Sequence, residues 1–204
     1  MALADFVKLP KNARVLDLGA GCGTLGMLLC ARDAACQVTG LEIDEKAHLT
    51  ALENSSDNAL SDRLTSICTD LTQIPNDMAS RFSICVSNPP YFSSGPAAKL
   101  VQARRQDLCT SAQLFASASR ALKWGGDFYL VHRPEYLAEL CACAVAENLQ
   151  PKKLCLLRHK ETGPVSLILL QCRKGAKPGL LWQEAFLRLA DGSFSDYYRK
   201  LYHL

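Results

Sequence analysis

The stretch "ARVLDLGAGCGTLGMLLCARD", residues 13–33, constrains the fold more than any other. An apolar run (13–19) reads as a buried strand. It enters a turn with glycines at 19, 21 and 23, and a helical run over 24–33 follows. A strand that feeds a helix through so tight a turn is half of a βαβ unit. The same alternation recurs downstream. Strands are expected at 36–44, 64–70, 81–88 and 127–132, with helices at 45–60, 109–126 and 134–149. Two more strands, 152–159 and 164–174, follow with no helix between them. Strands alternating with helices imply a mostly parallel sheet covered on both faces. The last two strands are expected to pair antiparallel, because antiparallel pairs need no crossover. No repeat, low-complexity tract or linker interrupts residues 1–204, so one domain is expected.

Composition agrees. With 204 residues, 49% hydrophobic and 21% charged, the chain can bury a sizeable core. Its apolar runs are too short to span a bilayer, and "MALADFVKLPKN" lacks the layout of a secretory signal. A cytoplasmic protein with no membrane partner is expected. The ten cysteines include no C-x-x-C pair, and Cys68, Cys85, Cys155 and Cys172 sit inside apolar runs. A free thiol there behaves as a small hydrophobe, so ten free thiols and no metal site are expected. Residues 151–204 hold 10 Lys+Arg against 4 Asp+Glu, while the first 150 hold 13 against 16. That asymmetry is compatible with a polyanionic partner, but on charge alone a solvated basic face is the favoured reading.

Ligands of such sheets bind beyond the carboxyl ends of the strands. The first strand ends at Gly19, Gly21 and Gly23, the second at Glu42 and Asp44, the third at Asp70 and the fourth at Asn88. Glycines let the backbone approach a ligand, and an acid about twenty residues on is placed for ribose hydroxyls. A dinucleotide oxidoreductase normally shows G-x-G-x-x-G, which, counted from Gly19 at the strand end, fails here at Thr24. After the fourth strand comes "VSNPPYF", residues 86–92. Its prolines cannot continue a central strand, so an amide and an aromatic ring are set at a strand end.

The Asp17–Gly19–Gly21–Gly23 pattern resembles the first motif of class I methyltransferases that use S-adenosyl-L-methionine (SAM). That resemblance implies a Rossmann-like α/β fold: a mostly parallel seven-stranded sheet of order 3-2-1-4-5-7-6 with an antiparallel last strand. It also implies SAM as cofactor and S-adenosyl-L-homocysteine as product. Asp17, Gly19, Ala20, Gly21 and Gly23 would lie along the methionine portion. Glu42 and Ile43 would take the ribose side, and Asp70 and Leu71 the adenine, with Asn88 closing the pocket.

"NPPY" resembles the Asn/Asp-Pro-Pro-Tyr/Phe motif of methyltransferases acting on planar amino groups. The lone pair of such an amine is delocalised into its ring. By the resemblance, the Asn88 side-chain oxygen and the Pro89 carbonyl each accept one N–H bond, Pro90 stiffens the segment and Tyr91 stacks on the target ring. "VHRPE" (131–135) and "RKGAKPGL" (173–180) resemble bacterial tRNA1(Val) adenine(37) N(6)-methyltransferases over roughly residues 3–182. The activity implied is methyl transfer to an adenine amino group in tRNA. His132, Arg133, Arg173, Lys174 and Lys177 become candidates for tRNA phosphate. Guanine in rRNA, adenine in DNA, protein glutamine, and SAM binding without turnover remain alternatives. Family members also carry a segment upstream of the first strand, of which "MALADF" looks like the tail. Tyr197, Tyr198 and Tyr202 are expected to serve core or helix packing.

Overall fold

A computed structural model describes residues 1–89 and 109–204. Among these, eight strands form one sheet: β1 (Arg14–Leu18), β2 (Gln37–Glu42), β3 (Leu64–Cys68), β4 (Phe82–Ser87), β5 (Leu122–His132), β6 (Leu149–Lys160), β7 (Val165–Lys174) and β8 (Leu181–Arg188). Their order is β3-β2-β1-β4-β5-β7-β6-β8. The flanking helices are α1 (Ala2–Phe6), α2 (Thr24–Arg32), α3 (Glu45–Asp57), α4 (Ser111–Ala121), α5 (Leu137–Ala146) and α6 (Asp196–Tyr202).

The first seven strands stand in the expected order, and β7 runs antiparallel to both β5 and β6. The sheet is one strand larger than the expected seven, and its final strand in sequence is not the antiparallel one. β8 pairs parallel with β6, from Lys153 opposite Leu181 to Lys160 opposite Arg188. Twelve-residue β6 would otherwise present a long open edge, and β8 covers it.

Successive strand residues point to opposite faces, and the core divides accordingly. Val15, Val38, Ile84, Tyr129 and Leu169 join Leu3, Phe6, Leu29 and Cys30 on the α1/α2 side. Leu16, Leu41, Cys85, Phe128 and Leu170 meet Phe115, Ala118 and Leu140 on the α4/α5 side. Phe115 and Phe128 pack edge to face at 5.1 Å. The central strands are buried on both faces, which is why they read as continuous apolar runs.

The expected helix 109–126 is shorter: α4 stops at Ala121, and "LKWGG" belongs to β5. Leu122 is already extended and opposite Phe82, and a bulge follows before Asp127 pairs with Ile84. Gly125 supplies the positive φ of 76° that the bulge requires. Lys174 Nζ donates to the carbonyls of Ser119 and Leu122, capping the helix end. In the tail, Phe194 and Tyr198 stack at 4.1 Å, Tyr198 and Tyr202 at 4.5 Å, and Tyr197 packs on the α1/α2-side core. All ten cysteines are free thiols.

Candidate active site

Parallel pairing brings the ends of β1, β2, β3 and β4 to one edge of the sheet. Leu18 stands beside Leu41, Glu42 beside Cys68, and Asp17 beside Val86. Ser87 Oγ donates to Leu18 O at 2.8 Å, which ties the end of β4 to that of β1.

The turn from β1 to α2 is held from beneath. Gly19 N and Ala20 N both donate to Leu41 O at 3.0 Å, and Gly21 N donates to Glu42 Oε2 at 2.7 Å. Gly19 and Gly21 have φ of 78° and 55°, and a Cβ at either would meet nothing within 4 Å. Their glycine character therefore serves the backbone path and leaves open space beside it. Gly40, absent from the expected set, makes the arrangement fit: a Cβ there would stand 2.7 Å from Ala20 Cβ. A glycine inside a strand marks such a close approach, and that signal was present in "TGLE".

Glu42 uses both carboxylate oxygens, since Oε1 accepts from Asp44 N at 2.9 Å. Each oxygen keeps a second lone pair for a hydroxyl. Asp44, the other acid after β2, is a helix cap: its Oδ1 accepts from Ala47 N at 3.0 Å at the start of α3. Ile43, between them, is 49% exposed. Asp70 Oδ1 accepts from Thr72 N at 2.8 Å, fixing the carboxylate just beyond β3. Leu71 packs partly on the α4/α5-side core.

Asp17 is the strongest electrostatic feature. It is 2% exposed, and its Oδ2 has no hydrogen-bond partner. Burial, and then the charge of Glu42, push its carboxyl up to about 7. It lines a small cavity with Ala20, Gly23, Gly40, Thr65 and Ser66, directly under the glycine turn. An orphaned buried carboxylate oxygen and a turn with open space are what a ligand bearing cationic and hydroxyl groups requires. The residues present fit SAM.

Asn88 and Pro89 follow β4 directly, Asn88 exposed and Pro89 half-buried. Pro90 and Tyr91 lie outside the described residues. On β5, Ser87 pairs with Leu130, so His132 and Arg133 emerge beside Asn88. His132 packs edge to face on Tyr136 at 4.7 Å, and burial lowers its pKa. Arg133 contacts Glu135 at 2.7 Å. Glu135 and Tyr136 were not among the expected site residues.

Arg173, Lys174 and Lys177, the other phosphate candidates, are elsewhere. Because β7 is antiparallel, its end lies at the opposite edge of the sheet, where Arg173 pairs with Asp127 and Lys174 with Leu149. Arg173 also forms a two-pronged ion pair with the Asp127 carboxylate, both contacts at 2.9 Å. Lys174 is the helix cap described above. These two are structural. Among the described residues, no group of three or more His, Cys, Asp or Glu is placed to hold a metal ion, and no helix is long and apolar enough to cross a membrane.

Comparison with known proteins agrees with this geometry. Residues 2–141 match the family model "Methyltransferase small domain". The chain is 30% identical over 206 residues to the tRNA1(Val) (adenine(37)-N6)-methyltransferase of Aeromonas hydrophila, covering 98% of this chain and 84% of that protein. The enzyme of the same name from Photobacterium profundum is 28% identical over 218 residues, covering 98% and 89%. Among solved structures, a predicted O-methyltransferase, Atu636 of Agrobacterium tumefaciens, superposes with a TM-score of 0.82 at 22% identity, covering 98% of this chain and 93% of that one. Geranyl diphosphate C-methyltransferase of Streptomyces coelicolor, solved with S-adenosyl-L-homocysteine, gives a TM-score of 0.64 at 13% identity, covering 85% and 80%. Both share the fold.

Proposed function

We propose, for a chain that belongs to the methyltransferase small domain family and is a SAM-dependent methyltransferase, that its substrate is the exocyclic amino group of an adenine in tRNA. In this reading residues 1–204 form one methyltransferase domain acting in the cytoplasm. The name shared by its relatives supports the substrate. The observation that carries the mechanism is the meeting of two segments at one sheet edge: the Gly21–Glu42 clamp after β1 and β2, and Asn88–Pro89 after β4, tied together by Ser87.

SAM supplies an electrophilic methyl group on a sulfonium. The chain's own residues bind and aim. Asp17, beneath the turn, offers a carboxylate to positive charge. Gly19, Ala20, Gly21 and Gly23 present backbone instead of side chains, and Glu42 offers its remaining lone pairs to ribose hydroxyls. Ile43 lies on the ribose side with Glu42, and Asp70 and Leu71 flank the adenine.

Catalysis on an aromatic amine needs its lone pair drawn out of conjugation. The Asn88 side-chain oxygen and the Pro89 carbonyl each accept one of the two N–H bonds of the target amine. That pulls electron density onto nitrogen and points its lone pair toward the methyl group. Proline removes a backbone donor and fixes φ, so these acceptors are held before the substrate arrives. Pro90 and Tyr91 extend the same segment, and Tyr91 supplies the stacking face. Positioning and preorganised polarity carry the rate. Methyl transfer leaves S-adenosyl-L-homocysteine as product, and the proton lost from the methylated nitrogen passes to solvent, with no strongly basic side chain required.

Unmodified bulk tRNA incubated with the enzyme and methyl-labelled SAM, then digested to nucleosides, tests the reading. N6-methyladenosine is the expected labelled product. Label confined to guanosine, or to a protein glutamine, would overturn it.

A further inference from the structure

We infer that the sheet edge opposite the candidate active site docks RNA, with Trp124 as a stacking platform and Lys123, Lys152 and Lys177 as phosphate contacts. The inference rests on the reading of tRNA as substrate. It concerns a part of the RNA remote from the base that is methylated.

Trp124 sits in the β5 bulge and is 70% exposed. Its ring nevertheless has a fixed seat. A Cβ at Gly175 would stand 2.1 Å from Trp124 Cζ2, 2.2 Å from Cε2 and 2.7 Å from Cη2. The six-membered part of the indole therefore lies directly against the Gly175 backbone, and only glycine permits it. Gly175 is itself anchored, its N–H donating to Asn148 O at 2.9 Å, with φ of 68°. A large aromatic seated on backbone on one side and open to solvent elsewhere is a preformed platform for another planar ring.

Its surroundings are cationic. Lys123 precedes it in the bulge and is exposed, as is Lys177, two residues beyond Gly175. Lys152 Nζ donates to Lys177 O at 3.2 Å, which places that ammonium on the same turn. Of the acids near this surface, Asp127 is already engaged by Arg173, while Glu147 precedes Asn148 at the end of α5. The turn then runs through Gly179 into β8, where Trp182 is 67% exposed. Ammonium groups interleaved with exposed indoles suit a ligand carrying repeated negative charge and flat rings, which is nucleic acid. From Ile168, opposite His132 at the catalytic edge, to Lys174, β7 spans roughly 20 Å at about 3.3 Å per residue. That distance from the catalytic edge excludes the target nucleotide and leaves the body of the same tRNA as occupant.

The test measures binding of an unmodified tRNA(Val) transcript across a range of salt concentrations. Trp124→Ala should weaken it roughly 5- to 100-fold, the range for losing one base stack, and Trp124→Phe should recover most of the loss. Lys152→Ala with Lys177→Ala should flatten the slope of log K against log salt by about 1–2. SAM affinity, melting temperature and the methylation rate at saturating tRNA should stay at the parental level. Parental tRNA affinity in all these variants would overturn the surface and leave the catalytic reading standing. Loss of tRNA binding in Trp124→Ala, in a protein whose parent binds tRNA without methylating it, would support the surface and overturn the substrate reading. A parent that binds no tRNA overturns both. Unchanged tRNA affinity with an altered oligomeric state would give the patch to a second copy of the chain and overturn the proposal.

Discussion

The backbone N–H of Gly21 points at the Glu42 carboxylate from 2.7 Å. Twenty-one residues apart in sequence, the two join the turn after β1 to the end of β2. The second oxygen of Glu42 holds Asp44, and through it the start of α3. One side chain thus shapes both walls of the proposed cofactor site before any ligand is present.

Replacing Glu42 with alanine removes the acceptor for two N–H groups and the proposed ribose partner. SAM affinity, measured by calorimetry, should fall at least tenfold. Losing charge-assisted bonds of this kind costs about 1–3 kcal/mol, so the fold should survive. Unchanged SAM affinity would remove Glu42 from the site.

Gly21→Ala separates backbone strain from ligand exclusion. No protein atom lies within 4 Å of the new methyl group. The left-handed backbone should cost about 1–2 kcal/mol of stability, visible as a modest drop in melting temperature. A SAM affinity reduced by more than that strain accounts for places the ligand against Gly21, and an unchanged affinity places it elsewhere.

Asp17 should make stability depend on pH. Its folded pKa, raised to about 7, lies well above the usual unfolded value near 3.9. The folded state therefore holds its proton more tightly. The stability this contributes is complete below pH 4 and is lost as pH rises through 7, by about 4 kcal/mol at most. Asp17→Asn should flatten that slope in denaturant titrations of the ligand-free protein. A cationic ligand favours ionised Asp17, so SAM binding should release a proton near pH 6–7 and tighten as pH rises. Binding enthalpies that do not vary with buffer ionisation enthalpy would contradict this.

Arg173→Ala should act mainly on stability. It strips a two-pronged partner from Asp127, whose side chain is only 14% exposed. Gln171 Nε2 still donates to Asp127 Oδ1 at 3.0 Å, so losing only the charged partner costs about 1–2 kcal/mol. Denaturant midpoints check this, and a midpoint equal to the parent's would show the ion pair to be idle.

What was legible in the sequence follows a physical division. The central strands, buried on both faces, write themselves as apolar runs, so they and the residues at the ends of β1 to β4 could be read directly. β8 could not: Leu181–Glu184 are all exposed, so no alternation marks them. The end of α4 was hidden for another reason. Alanines, leucine and lysine favour continuing a helix past Ala121, and what stops it is strand pairing with Phe82 and a cap from Lys174, fifty-two residues beyond Leu122. Arg173 and Lys174 could be read as basic but not placed, because a basic run carries no address. The antiparallel direction of β7, already expected, would have sent them to the far edge.

Asn88 carries the central claim, and single-turnover methylation of unmodified tRNA, with SAM affinity measured separately, addresses it most directly. Losing one preorganised polar partner of the reacting group costs about 3 kcal/mol, or roughly 100-fold in rate. Asn88→Ala should methylate at least that much more slowly while binding SAM almost as well as the parent. If it methylates at the parental rate, the segment after β4 only ends a strand, and the mechanism built on it is wrong.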